Sequence, residues 1–141
     1  MIRFANKFDI DDIVRLLKEF VIESNNPLTF NPMNWSKTYV ESILTTIFLG
    51  RGFCLIDDEK TGILIAVKNQ CFWVENEWQL QEVMLHSKSK ILMYRLIKEY
   101  AKIARNMIAN NEITHAMIST YKDDKFERLG MKKIEIHWSV E

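Results

Sequence analysis

Nineteen lysines and arginines balance nineteen aspartates and glutamates in a chain of 141 residues and 16.8 kDa, with a sequence pI near 6.8. That length fits one domain, 1–141, able to bury roughly 68–70% of its unfolded surface without a metal or disulfide. Zero net charge argues against a nucleic-acid partner held by a broad cationic face, and two cysteines, Cys54 and Cys71, make neither a disulfide framework nor a Cys/His metal cage.

The first residues, Met1 to Asp12, mix charged and apolar side chains, so they read as a short apolar strand (2–5) rather than a signal peptide. Asp9 is the expected cap of a helix whose inner stripe is Ile10, Ile13, Leu16, Leu17, Phe20 and Val21, ending near Ser24. Both prolines, Pro27 and Pro32, fall in 25–34 and mark a loop. Ser36 caps a second helix, with Val40, Ile43, Leu44, Ile47 and Phe48 inward and Gly50 as its stop.

The apolar period then shortens. Runs at 52–56 and 62–67 around a polar turn at 57–60 read as a hairpin. The segment 69–77 mixes aromatics with acids and resists assignment, and 78–86 alternates as a further strand. Met93, Leu96, Ile97, Tyr100, Ala104 and Met107 then stripe a long helix. A strand at 113–119, a short helix at 123–129 ending at Gly130, and a strand at 134–140 complete the order β-α-α-β-β-β-α-β-α-β. Three consecutive strands rule out pure βαβ alternation, so the expected class is α/β of the α+β kind: a mixed sheet flanked by helices. No run approaches the ~18 uncharged apolar residues of a membrane span, so a cytoplasmic protein without a membrane partner is expected.

The four glycines, Gly50, Gly52, Gly62 and Gly130, are too scattered for a Walker loop or a G-x-G-x-x-G turn. A phosphate site would therefore have to use the bare amino end of a helix.

Two segments carry a family likeness. Lys125-Phe126-Glu127-Arg128-Leu129-Gly130-Met131-Lys132 resembles the F-Y-E-K-L-G-F-K turn of the GNAT N-acetyltransferase superfamily. Leu85-His86-Ser87 with Tyr94-Arg95-Leu96-Ile97-Lys98 is similar to that family's strand-to-helix segment, in the form found in compact acetyltransferase-like proteins of tailed bacteriophages. With the element order, the resemblance spans essentially the whole chain. It implies acetyl-CoA as co-substrate and acetyl transfer to an amine, on a small molecule or a protein.

Carried over residue by residue, the resemblance puts the general base at Glu82, in the middle of the strand before the long helix. On an unbroken alternating strand Glu82 shares a face with Leu80 and Met84. His86 is a second candidate base. Val83, Met84 and Leu85 would pair with the pantetheine arm like an added strand. Ser87, Lys88, Ser89, Lys90 and Ile91 would hold the pyrophosphate at the helix start. The family's glycine-rich loop is missing there. The family's thiolate-protonating tyrosine falls on Phe126, leaving Tyr121 as the stand-in acid and Ser119 as a weaker one. Phe72, Trp73 and Trp78 with Glu75 and Glu77 suit either a wall for a cationic amine or a lid or dimer contact. His115 and His137 read as structural.

The alternative reading is a catalytically inactive domain of this fold that binds or inhibits a protein partner. A nucleic-acid binder using Lys88, Lys90 and Arg95 ranks below both. Whether the chain forms a homodimer is open at this stage.

Overall fold

The computed structural model describes residues 1–24, 35–119 and 126–134. Tyr121, His137, the loop at 25–34 and, apart from Ile134, the expected last strand lie outside those residues.

Five strands form one sheet in the order β1-β2-β3-β4-β5. β1 (Ile2–Phe4), β2 (Gly52–Asp57), β3 (Gly62–Gln70) and β4 (Trp78–Ser87) run antiparallel to their neighbours, and β5 (His115–Met117) joins β4 in parallel. The expected mixed sheet is therefore present. β3 extends to Gln70, so the unassigned stretch reduces to a turn at 71–77.

Helices cover both faces. α1 (Ile10–Ser24) and α2 (Lys37–Thr46) enclose one core, with Ile13, Leu16 and Leu44 against Cys54, Ile56, Ile63 and Ile65. α3 (Lys90–Ala109) closes the other, placing Leu96, Tyr100 and Ala104 on Leu55, Leu64, Ala66 and Leu80. A side chain at Gly62 would put its Cβ 2.6 Å from Leu92 Cδ2, so this glycine lets the start of α3 lie directly on β3. Burial also pushes the Cys54 thiol up to about 12, which makes it a core filler rather than a nucleophile.

Some boundaries differ from expectation. The cap before α1 is Asn6, not Asp9: its side chain accepts from Phe8 N, opening a 3-10 turn (Lys7–Asp9) that leads into α1. Asp9 turns back instead, accepting from the Asn6 amide at 2.9 Å and from both terminal nitrogens of Arg3 at 2.8 Å. Ser36 does cap the second helix, and a π-helical turn, Ile47–Arg51, prolongs it beyond Thr46 until the helical backbone breaks at Gly50, φ +112°. The described part of the expected helix at 123–129 is one 3-10 turn, Glu127–Leu129, ending at left-handed Gly130.

The Arg3 pairing holds the buried Asp9 carboxyl down to about 2, against burial, which acts the other way. A depressed carboxyl stabilises the fold above its unfolded value and loses that contribution as pH falls toward its folded value. Asp9→Asn is expected to cost about 2 kcal/mol at pH 7, with the gap to the unmodified chain closing between about pH 4 and pH 2. Denaturant unfolding of both proteins across that range checks it.

Candidate active site

β4 is not evenly pleated. Ile65 pairs with Met84 and its neighbour Ala66 with Glu82, so Val83 has no opposite residue and forms a bulge. The extra residue reverses the facing of everything after it. Leu80 and Glu82 point to the α3 side with Ala66, and Leu85 does so again with Leu64. Met84 and His86, paired with Ile65 and Ile63, point to the α1 side. The expectation that Glu82 shares a face with Met84 is therefore corrected, because strict alternation fails at Val83. Val83 itself is 52% exposed.

The bulge lies beside a fork. β5 pairs with β4 only from Gln79 to Gln81, whereas the β3 ladder continues to Ser87. Beyond Gln81, the β5-side edge of β4 carries no partner strand among the described residues. Glu82 occupies the vertex. It is 5% exposed, and its Oε2 accepts from the Ser119 amide at 3.1 Å. Gln81 also reaches Ser119, its Nε2 lying 3.4 Å from Oγ. Burial raises the Glu82 carboxyl to about 7, with the Ser119 amide pulling weakly the other way. A carboxyl poised there both takes and returns a proton near neutrality, as a general base must.

At the start of α3, several amides are already used. Lys88 N–H donates to Thr61 O at 3.2 Å, Ser89 N–H to Ser87 Oγ at 3.1 Å and Leu92 N–H to the capping Ser89 Oγ at 3.1 Å. No described group accepts from Lys90 or Ile91 N–H. These two sit at the positive end of a 20-residue helix, and both residues are exposed. The arrangement fits a diphosphate through two amides rather than through a glycine-lined cradle. Lys88 leans toward α1, with Nζ 3.7 Å from Glu19 Oε1.

Other residues singled out by the sequence lie apart from the fork. His86 is on the opposite sheet face, its Nε2 3.5 Å from Glu19 Oε2 and its ring edge-on to Phe20. Phe126 is buried and meets Tyr94 of α3 edge-to-face. Phe72 and Trp73, 86% and 84% exposed, meet edge-to-face at the β3–β4 turn. Trp78 packs into the α3-side core. That turn adjoins the end of β4 where β5 is still paired, away from the opening. Tyr100, known from the sequence only as one of a helical stripe, lies beneath the fork. A buried phenol needs a partner, and that was the available signal. Among the described residues no group of three or more His, Cys, Asp or Glu side chains could hold a metal, and no helix is long and apolar enough to cross a membrane.

This architecture recurs in solved structures of acetyltransferases. Over 100% of its length the chain aligns with 95% of a "possible acetyltransferase" from Clostridium difficile 630, at TM-score 0.69 and 13% identity. Glucosamine-6-phosphate N-acetyltransferase from Arabidopsis thaliana matches over 100% of this chain and 97% of its own, at 0.69 and 12%. A "predicted acetyltransferase" from Clostridium acetobutylicum, solved with acetyl-CoA, matches over 100% and 95%, at 0.71 and 8%. At these identities the likeness defines the fold: the chain has an acetyltransferase fold. No protein-family model and no curated protein sequence matches it.

A raised carboxyl stabilises the fold only while it is protonated. Glu82 therefore costs stability as pH rises from its unfolded value toward about 7. Glu82→Gln is expected to be more stable than the unmodified chain by about 1–3 kcal/mol at pH 8, with the difference shrinking toward zero by about pH 4. Paired denaturant titrations at the two pH values measure it.

Proposed function

We propose that the chain is an N-acetyltransferase that moves an acetyl group from acetyl-CoA to an amine on a small molecule or a protein. The observation that carries this reading is the buried, neutrally poised Glu82 carboxylate at the β4–β5 fork of an acetyltransferase fold. When bound, acetyl-CoA supplies an acyl thioester that an unprotonated amine can open.

The chain's residues divide the remaining work. Lys90 and Ile91 N–H groups bind the diphosphate, with the Lys90 ammonium and the capped helix start of Ser87, Lys88 and Ser89 adding to the field. The edge at Val83, Met84 and Leu85, without a partner strand among the described residues, takes the pantetheine arm by strand addition. Glu82 releases the Ser119 amide and accepts the proton of the incoming ammonium at a carboxylate oxygen. Tyr121 is the proposed acid for the leaving sulfur. Phe126, buried against Tyr94, has no hydroxyl to offer.

A second reading, an inactive domain that binds or inhibits a protein partner, draws on the amides of Lys88, Ser89 and Leu92 being spent within the protein. The phage-like middle segment accords with either reading.

Calorimetry with acetyl-CoA separates them. Ser89 has φ −129° and ψ 134°, a conformation that tolerates a following proline, and proline suits the first position of a helix. Lys90→Pro thus removes one open N–H without breaking α3. It is expected to bind about tenfold more weakly than Lys90→Ala, the loss of one charge-assisted hydrogen bond. Glu82→Gln should bind normally and lose about 10²- to 10⁴-fold in amine acetylation. An unmodified chain that fails to bind at high micromolar acetyl-CoA would remove the enzyme reading. Binding without turnover on an amine panel would favour the second.

A further inference from the structure

The phenol of Tyr100 lies where β4 and β5 are about to part. Tyr100 projects from the middle of α3 and is 2% exposed. Its hydroxyl donates to the Met117 carbonyl of β5 at 2.6 Å, and the Leu80 carbonyl of β4 is 3.4 Å away. Met117 forms the last β5 rung, with Gln81, and Leu80 the rung before it. One side chain from the helix layer thus touches both strands at the root of the fork.

Glu82 is close by on the same face, two residues along β4 from Leu80. The Tyr100 phenol is held above its ordinary range chiefly by burial and then by the Glu82 negative charge, so the two groups sense one another. From β5, the Ser119 amide, two residues past Met117, completes the polar surroundings of the carboxylate. With the hydroxyl removed, the half-buried Met117 carbonyl would lose that donor, a loss β5 can relieve by moving off toward water. Ser119 would move with it and Glu82 would be wetted.

We infer that Tyr100 is a positioning residue: its hydroxyl pins the last rung between β4 and β5 and so fixes the width of the fork and the dry setting of the Glu82 carboxylate. Its place in catalysis rests on the acetyl-transfer reading of the fork, but its geometry does not. Sequence patterning gives Tyr100 only a core role, and a phenylalanine would fill that role as well. The hydroxyl distinguishes the two.

The test uses the full chain without any ligand, so its outcome is separate from whether acetyl-CoA binds. Tyr100→Phe is compared with the unmodified protein by NMR. The expected results are a carboxyl-carbon (Cδ) titration of Glu82, assigned by its absence in Glu82→Gln, whose midpoint falls by about one pH unit or more as the carboxyl is wetted, and Ser119 amide exchange faster by about fivefold or more. A folded Tyr100→Phe in which both stay unchanged overturns the inference, even if its melting temperature drops. Should the variant not fold, the unmodified chain decides: the Tyr100 Cζ resonance must move in step with the Glu82 titration and lose that step in Glu82→Gln. A Cζ resonance indifferent to Glu82 overturns the inference equally.

Discussion

The hydrogen bond from the Ser119 amide to the Glu82 carboxylate sits at the point where two parallel strands separate. Glu82 keeps the α3-side facing of Leu80, and the bulge that follows it at Val83 sends Met84 and His86 to the other side. Burying a carboxylate is costly unless it is bonded, and one amide offsets only part of the loss. The remainder appears as a carboxyl that ionises near neutrality. The cost to the fold and the capacity for proton transfer are thus one property, set by how little water reaches the vertex. Such strain between stability and chemistry is common where side chains are arranged for a reaction.

The second constraint is at the amino end of α3. Glycine-rich loops hold phosphate by letting backbone approach it closely. Here the helix start is instead an ordinary capped one, in which Ser89 satisfies Leu92 and Ser87 satisfies Ser89. Capping normally leaves the first two helical amides open, and Lys90 and Ile91 are those two. On the acetyl-transfer reading, a diphosphate there would meet fewer donors than in a glycine-lined cradle, and weaker co-substrate binding would follow from the same residues that stabilise the helix start.

Much of the frame was legible because burial is periodic. The stripes of α1 and α3, the hairpin of β2 and β3, and the stop at Gly50 all follow from residue spacing and backbone freedom. Glu82 could be singled out through the family likeness of its strand. What stayed hidden depended on contacts distant in sequence. The bulge breaks strict alternation, and no residue type announces it, so the facing of Met84 came out wrong. Asp9 looked like a cap because its partner, Arg3, lies on a strand before the turn. Tyr100 read as one more apolar stripe residue because its hydrogen-bond partners are carbonyls, and every residue has one.

The account stands on the fork and the start of α3 acting as one binding surface. Amide chemical-shift mapping during an acetyl-CoA titration of the unmodified chain tests this most directly. The expected shifts are largest at Val83, Met84 and Leu85 and at Lys90 and Ile91, with Phe72 and Trp73 at the far turn unmoved. Shifts centred on that turn, or none at these five residues at saturating co-substrate, would contradict it.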